Sequence, residues 1–175
     1  MQAGHGLAPK HSRRDILRGT LREQRRPVMR PPGAQAAFDH LCDDCGACAR
    51  ACPQKIIRHA EGGGPVLDFS RGACTFCGDC ARACPTGALV AEAQTDWPWR
   101  AVILPSCLSR QGISCRACED ACEPRAIRFR LETKGRAVPV LATDICTGCG
   151  ECAAACPAGA VTFERALPES AEVSA

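Results

Sequence analysis

Large aromatic side chains are scarce in this 175-residue chain, which has no tyrosine, two tryptophans and five phenylalanines. Aromatic residues make up only 4% of the sequence, which is too little bulky apolar surface for an ordinary packed core of this length. Small domains with thin cores usually depend on disulfides or metal sites for stability. The composition therefore predicts a small fold that side-chain packing alone does not hold together.

Long apolar runs are also missing, although the early stretch SRRDILRG has the paired arginines, Arg13 and Arg14, of a twin-arginine export signal. A signal peptide needs about 7–15 apolar residues after its charged start. Here the following stretch TLREQRRPVMRPPG is broken by charges and prolines. No other run approaches the roughly 18 apolar residues of a membrane helix. We therefore expect a soluble protein without a membrane span, located in the cytoplasm, where thiols stay reduced.

Motifs of common enzyme classes are absent as well. The chain has no GxGxxG that opens a helix after a strand, no P-loop and no CxxxCxxC spacing for radical chemistry. Its four histidines, His5, His11, His40 and His59, show no ligand spacing. We therefore expect no catalytic residues and no enzyme activity.

Charge is distributed unevenly along the chain. Residues 1–30 hold eight lysines and arginines against Asp15 and Glu23, whereas the remainder is mildly acidic. A basic segment of this kind either contacts a partner or is a mobile, solvated tail. A nucleic-acid role would rest on this basic segment alone, without an aromatic stacking surface for bases. We therefore expect no nucleic-acid partner.

Cysteine is the residue type that the chain has in abundance, and its sixteen cysteines fall into four groups. Three groups have the spacing C-x2-C-x2-C-x3-C-P of bacterial ferredoxins, which bind 4Fe–4S clusters. The candidate ligands are Cys42, Cys45, Cys48 and Cys52; Cys74, Cys77, Cys80 and Cys84; Cys107, Cys115, Cys118 and Cys122; and Cys146, Cys149, Cys152 and Cys156.

The regular spacing has a physical reason. A cubane cluster has four iron corners that each take one thiolate, and cysteines two residues apart let a short loop reach three corners. Glycines inside these loops allow positive φ at low cost, namely Gly46, Gly78, Gly148 and Gly150. The fourth cysteine follows on a short helical turn. In two-cluster ferredoxins this cysteine ligates the other cluster, but spacing alone leaves open whether that exchange occurs here.

Zinc and disulfides explain the pattern less well. Zinc sites favour two CxxC pairs with a longer spacer, or histidine ligands, and disulfides need an oxidising compartment. The third group is irregular, because seven residues separate Cys107 from Cys115 and Glu123 precedes Pro124. Loop-closure entropy grows slowly with loop length, so we expect a cluster there as well. A labile or empty third site is the alternative.

Strand patterns between the groups predict a repeated architecture. KIIRHA and PVLDF flank Gly62–Gly64, and AIRFRLE and RAVPVL flank a TKG turn, so each pair predicts a hairpin. GALVAEA and GAVTFER follow the last cysteine of the second and fourth groups as matching terminal strands. The predicted fold is α+β, with two tandem bacterial-type ferredoxin units of two 4Fe–4S clusters each, small and stabilised by the clusters. Its predicted parts are a basic arm (1–35), unit 1 (36–93), a linker (94–99), unit 2 (100–165) and a tail (166–175).

These residues resemble the NapF family, the ferredoxin-type accessory proteins encoded with periplasmic nitrate reductases. The similarity covers nearly the whole chain and is most specific in SRRDILRG, RPPGAQAAFDHLC, SCRACEDACEPRAIRFR and CTGCGECAAACPAGAVTFE. The resemblance implies a cytoplasmic iron–sulfur protein that acts on the molybdenum-containing catalytic subunit before its export, by helping to supply or reduce its cluster. The alternative is a polyferredoxin that acts as an electron carrier or as an electron-input subunit for a redox enzyme, because the cysteine pattern indicates the clusters but not the partner.

Overall fold

Short elements build the fold in the computed structural model, which describes residues 28–60, 63–92, 97–132 and 135–166. Within these ranges the helices are α1 (Phe38–Leu41), α2 (Ala47–Ala51), α3 (Asp79–Arg82), α4 (Ala117–Asp120) and α5 (Glu151–Ala154). The strands are β1 (Ile57–His59), β2 (Pro65–Leu67), β3 (Trp99–Ile103), β4 (Ile127–Leu131), β5 (Ala137–Leu141) and β6 (Val161–Arg165). The arginine pair Arg13–Arg14 and residues 167–175 lie outside the described ranges. None of the described helices is long and apolar enough to cross a membrane.

The strands pair into three separate two-stranded antiparallel sheets. β1 pairs with β2, and β4 pairs with β5 in the register Ile127↔Leu141, which confirms both predicted hairpins. β6 confirms the predicted terminal strand of the second unit. Its partner is β3, which the sequence did not predict, in the register Ile103↔Val161. The first and last segments of the second half are thereby held side by side.

The matching terminal strand predicted for GALVAEA is wrong for the part of it that the structure describes. Residues 87–92 contribute only an isolated bridge between Leu89 and Ala34. The backbone N–H of Val90 donates to Gly33 O at 2.9 Å, and the N–H of Gln35 donates to Ala88 O at 3.1 Å. The opposing segment begins with two prolines, which lack N–H donors, and Gly33 has a φ of +88°. A regular strand ladder therefore does not extend along it.

Residues 28–35 belong to the predicted arm, yet they contact the first half of the chain. The Arg30 guanidinium donates to Gly63 O at 3.2 Å and Pro65 O at 3.1 Å, at the turn between β1 and β2. It also pairs with Asp39 at 2.9 Å and lies 4.9 Å from the centre of the Phe38 ring. One arginine thus joins this segment to both α1 and the first hairpin.

The buried side chains form two clusters, one in each half of the chain. In the first, Phe38, Ile56, Ile57, Phe69 and Leu89 surround the buried Cys48. In the second, Ile103 and Ile127 pack with small alanines and with cysteines: Cys107, Cys118, Cys122, Cys146 and Cys152. Cysteines therefore occupy positions in the second core that bulky apolar residues fill in most domains.

Truncating Ile127 to alanine is expected to destabilise the protein strongly, because this side chain is only 1% exposed. Loss of a buried isoleucine costs about 2–5 kcal/mol. Leu131, in the same strand but 84% exposed, is the matched control. Its replacement by alanine is expected to change stability by less than about 0.5 kcal/mol. Thermal loss of circular dichroism, compared between Ile127→Ala and Leu131→Ala, measures the difference, and equal midpoints would contradict the assigned core.

Candidate metal centres

Four cavities open among the cysteine loops, and each is lined by three cysteines of one group and the last cysteine of another. We number them by the group that supplies three of the four lining cysteines. Site I is lined by Cys42, Cys45, Cys48 and Cys84, and site II by Cys52, Cys74, Cys77 and Cys80. Site III is lined by Cys107, Cys115, Cys118 and Cys156, and site IV by Cys122, Cys146, Cys149 and Cys152.

This 3 + 1 arrangement follows from how the halves fold. Each fourth cysteine stands at the end of a helical turn that points away from its own loop, towards the loop of the paired group. α2 carries the chain from site I to Cys52 in site II, and α3 carries it from site II back to Cys84 in site I. The same exchange in the second half involves Cys122 and Cys156. All sixteen predicted ligands are thus placed at a cavity.

The regular loops share a backbone conformation that the sequence revealed only in part. The predicted glycines Gly46, Gly78 and Gly150 have φ values of +71°, +79° and +95° and lie just before α2, α3 and α5. A second left-handed residue precedes the middle cysteine of each loop, at Asp44, Phe76 and Gly148. Non-glycine residues seldom adopt this conformation. Loops with two left-handed turns around one cysteine direct several N–H groups to one side, as a sulfur cluster requires.

The irregular third group belongs to the same repeat. The third residue after each fourth cysteine is left-handed in all four groups: Lys55, Gly87, Arg125 and Gly159. At Arg125 the φ is +59°, and its N–H donates to Cys122 O at 2.9 Å. The entry into α4 differs, because Arg116 has a φ of −133° where the other loops have a left-handed glycine.

The longer spacer of the third group folds back on itself and returns Cys107 to its cavity. The N–H of Ile113 donates to Leu108 O at 2.9 Å, and the N–H of Gln111 donates to Cys107 O at 3.1 Å. Ser109, only 4% exposed, donates its hydroxyl to Ala137 O at the start of β5. The spacer is therefore an ordered loop fastened to the second hairpin, and it leaves Cys107 buried beside Cys118.

Burial makes the thiolate form of several of these cysteines unfavourable in the absence of metal. Burial, reinforced by neighbouring thiolates, raises the pKa of Cys80 and Cys118 to about 11 and that of Cys152 to about 12. Burial also raises the pKa of Cys48 and Cys74. Without metal these groups keep their protons at neutral pH, so metal binding must displace them.

Hydrogen bonds reach the sulfurs of two of the exchanged cysteines, Cys84 and Cys156. Burial alone would raise the pKa of Cys84, but backbone N–H groups that include Leu89, together with the Thr86 side chain, lower it overall. In the second half, the N–H of Ala160 donates to Cys156 Sγ at 3.3 Å. Hydrogen bonds to cysteine sulfur stabilise the thiolate and help to set the potential of a bound cluster.

The donor sets fit a cluster better than a single ion. No group of three or more histidine, cysteine, aspartate or glutamate side chains in the described ranges could hold one metal ion. Four cysteines nevertheless line each cavity, whose volumes are about 300–380 Å³ including the part open to solvent. The two observations agree if the sulfurs surround a wider group with four metal corners, such as a 4Fe–4S cubane.

Exposure differs between the two halves. Sites I and II each contain one exposed cysteine, Cys45 and Cys77, whereas sites III and IV contain none. Site IV has the most buried cysteines, because Cys122, Cys146 and Cys152 are all buried. A partner therefore has more direct access to the sites of the first half.

The fold and the cavities define a ferredoxin-type protein with two dicluster units. In agreement, the model of the 4Fe–4S dicluster domain matches residues 41–88 and 113–160. The match begins after Cys107, so the structure adds this cysteine to the second unit.

Whole-chain comparisons identify the family more closely. The ferredoxin-type protein NapF of Escherichia coli (strain K12) is 40% identical over 155 residues, which cover 87% of this chain and 94% of that protein. NapF of Haemophilus influenzae is 36% identical over 162 residues, and the match covers 86% of this chain and 92% of that protein. The methylamine utilization ferredoxin-type protein MauM of Methylorubrum extorquens is 39% identical over 162 residues. That match covers 81% of this chain and 73% of MauM. The chain belongs to the NapF family of ferredoxin-type iron–sulfur proteins.

Occupancy of the irregular site can be measured by iron content. We expect about sixteen iron atoms per chain in protein purified without oxygen, because site III has the same four-cysteine lining as the others. Cys118→Ala is expected to retain about twelve. Iron and acid-labile sulfide analyses of both proteins provide the measurement, with Ile113→Ala as a control in the same loop region. About twelve iron atoms in the unaltered protein, unchanged by Cys118→Ala, would mean that the irregular site is not filled.

Proposed function

We propose that this protein is a cytoplasmic iron–sulfur accessory protein that holds four 4Fe–4S clusters and assists the maturation of the catalytic subunit of periplasmic nitrate reductase before export. The observation that carries the proposal is the set of four cavities, each lined by four cysteines. Membership of the NapF family supports the nitrate reductase system as the setting. The molybdenum-containing subunit is the proposed partner.

The chemistry of the sites supports either supply or reduction of the partner's cluster. A bound 4Fe–4S cluster exchanges one electron at a potential that depends on charge, hydrogen bonds to sulfur and exposure. The chain contributes the thiolates and the hydrogen bonds to Cys84 and Cys156. The exposed Cys45 and Cys77 make the first half the proposed side of contact with the apo-subunit.

A second candidate is a polyferredoxin that carries electrons for a redox enzyme. It is favoured by the direct contact between the loops of sites II and IV, where the N–H of Cys74 donates to Cys149 O at 2.7 Å. The similarity to MauM, whose name assigns it to methylamine utilization, also shows that related chains accompany other systems.

Deletion of the gene separates the two candidates. If the protein is a maturation factor, reductase isolated from the deletion strain should lack part of its cluster or cofactor, and iron and molybdenum analyses should reveal the deficit. If it is only an electron donor, the reductase should be fully metallated and should work at the normal rate with an artificial reductant. Complementation with the unaltered gene should restore nitrate reduction by the cells in either case, and Cys45→Ala tests whether site I is required.

The basic segment that contains Arg13 and Arg14 is proposed to contact the partner. Its deletion should end at residue 27, because Arg30 holds the segment 28–35 against the first hairpin. We expect a chain lacking residues 1–27 to keep its iron but to bind the apo-reductase more weakly, as measured by calorimetry. The variant Arg13→Lys/Arg14→Lys keeps the positive charge but removes the arginine pair, so it tests which of the two the partner recognises. Unchanged affinity of the truncated chain would contradict this proposal.

A further inference from the structure

The two halves of the chain meet at the loops of sites II and IV. The N–H of Cys74, a site II ligand position, donates to the carbonyl of Cys149, a site IV ligand position, at 2.7 Å. This distance is short for an N–H···O hydrogen bond. Backbones that carry ligands of two different cavities are therefore in direct contact.

Aromatic packing reinforces the same junction. Phe69, which follows the first hairpin, lies 5.0 Å from Phe163 of β6 between ring centres. Phe163 also lines the cavity of site IV. Gly150, in the site IV loop, lies so close to the Phe69 ring that any Cβ there would clash with it. Only glycine allows the site IV loop to approach the first half this closely.

Trp97 occupies the other side of the junction. Its ring lies 6.3 Å from that of Phe76, which lines site II. A Cβ added to Gly148 of the site IV loop would lie 2.7 Å from Trp97 Nε1. The buried Nε1 has no hydrogen-bond partner among the residues that the structure describes. Trp97 therefore fills the space between the loops of sites II and IV.

Sites I and III are each joined to the other site of their own half by exchanged cysteines. Within the first half, sites I and II exchange Cys52 and Cys84. Within the second half, sites III and IV exchange Cys122 and Cys156. The described contacts that join the halves lie between the loops of sites II and IV and between the neighbouring Phe69 and Phe163.

We propose that the four sites form a single series in the order I, II, IV, III, so that the irregular site is one end of the series and the exposed site I is the other. The proposal rests on the proposed function, which fills all four sites. A one-electron donor protein at one end would lose one electron and a one-electron acceptor protein at the other would gain it, with no bond broken. Residues of the junction, chiefly Phe69, Gly150 and Trp97, are positioning residues that set the separation of sites II and IV.

The order can be tested with double variants that each retain only two of the four sites. Cys48→Ala/Cys118→Ala removes one ligand each from sites I and III, and retains II and IV. Cys80→Ala/Cys152→Ala removes one ligand each from sites II and IV, and retains I and III. Each protein, purified without oxygen and reduced with dithionite, is measured by EPR. We expect signals split or broadened by magnetic coupling in the first variant and two independent signals in the second.

Coupling in the second variant, or its absence in the first, would overturn the proposed order. Iron content separates this failure from failure of the proposed function, because each variant should hold about eight iron atoms and the unaltered protein about sixteen. If Cys48→Ala/Cys118→Ala does not fold, Cys45→Ala/Cys115→Ala removes the same two sites through less buried ligands. Phe69→Leu in the first variant is expected to weaken the coupling while the iron content is kept.

Discussion

Removal of iron under reducing conditions is expected to unfold both halves of the protein. The described helices are only four or five residues long, and isolated helices shorter than about 12–15 residues are marginal in water. The sheets have two strands each, and two-stranded sheets are likewise marginal on their own. The buried clusters contain few large side chains, and cysteines occupy much of the second one. Without metal, sixteen thiols and a thin core remain.

The measurement combines a chelator of ferrous iron with a thiol reductant, followed by far-ultraviolet circular dichroism and size-exclusion chromatography. We expect loss of the native spectrum and earlier elution from the column, with recovery when iron and sulfide are supplied. Reductant without chelator is the control, since it would unfold a protein held by disulfides and leave a metal-held protein intact. Iron-free protein with a native spectrum and elution volume would contradict the expectation.

Pairs of cysteine substitutions should lose iron in a pattern that depends on cavities rather than on sequence groups. Cys45→Ala and Cys84→Ala each disable site I, because both residues line the same cavity. The double variant should therefore retain about twelve iron atoms, as each single variant does. Cys77→Ala combined with Cys84→Ala disables sites II and I together, and should retain about eight.

These two double variants are matched, because each carries Cys84→Ala and one alanine at an exposed cysteine, either Cys45 or Cys77. If every fourth cysteine instead served its own group, the results would be reversed, with about eight iron atoms for the first pair and about twelve for the second. Iron analysis with EPR of the reduced proteins distinguishes the outcomes. The second half offers the corresponding pairs, Cys115 with Cys156 and Cys149 with Cys156.

Local features of the fold could be predicted because they depend on residues close together in the chain. The strand patterns on either side of Gly62–Gly64 and of the TKG turn predict two hairpins, and both are found. The left-handed conformations of Gly46, Gly78, Gly148 and Gly150 were likewise predictable from residue type. Asp44, Phe76, Lys55 and Arg125 adopt the same conformation without a glycine to signal it. At these positions the surrounding structure overrides the residue's own preference.

Pairings between distant segments were not predictable. β3 joins β6 through contacts that span the whole second half, and Arg30 attaches a segment that resembled a mobile arm. Hydrophobic periodicity predicts a strand but not the strand with which it pairs. A segment rich in proline and arginine has the composition of a linker whether or not it is packed against a domain. Only the packing of complete units shows where such segments lie.

The cysteine spacing by itself determined that this protein has loops able to surround iron–sulfur clusters, because three ligands two residues apart act within one turn of chain. The tertiary structure alone decided where each fourth ligand lies, how Cys107 returns to its cavity and which two sites meet at the junction. Those features depend on the direction in which short helical turns leave the loops and on the close approach of Gly150 to Phe69. The direction of a helical turn and the contact between Gly150 and Phe69 are determined only when hairpins and loops from distant parts of the chain pack together.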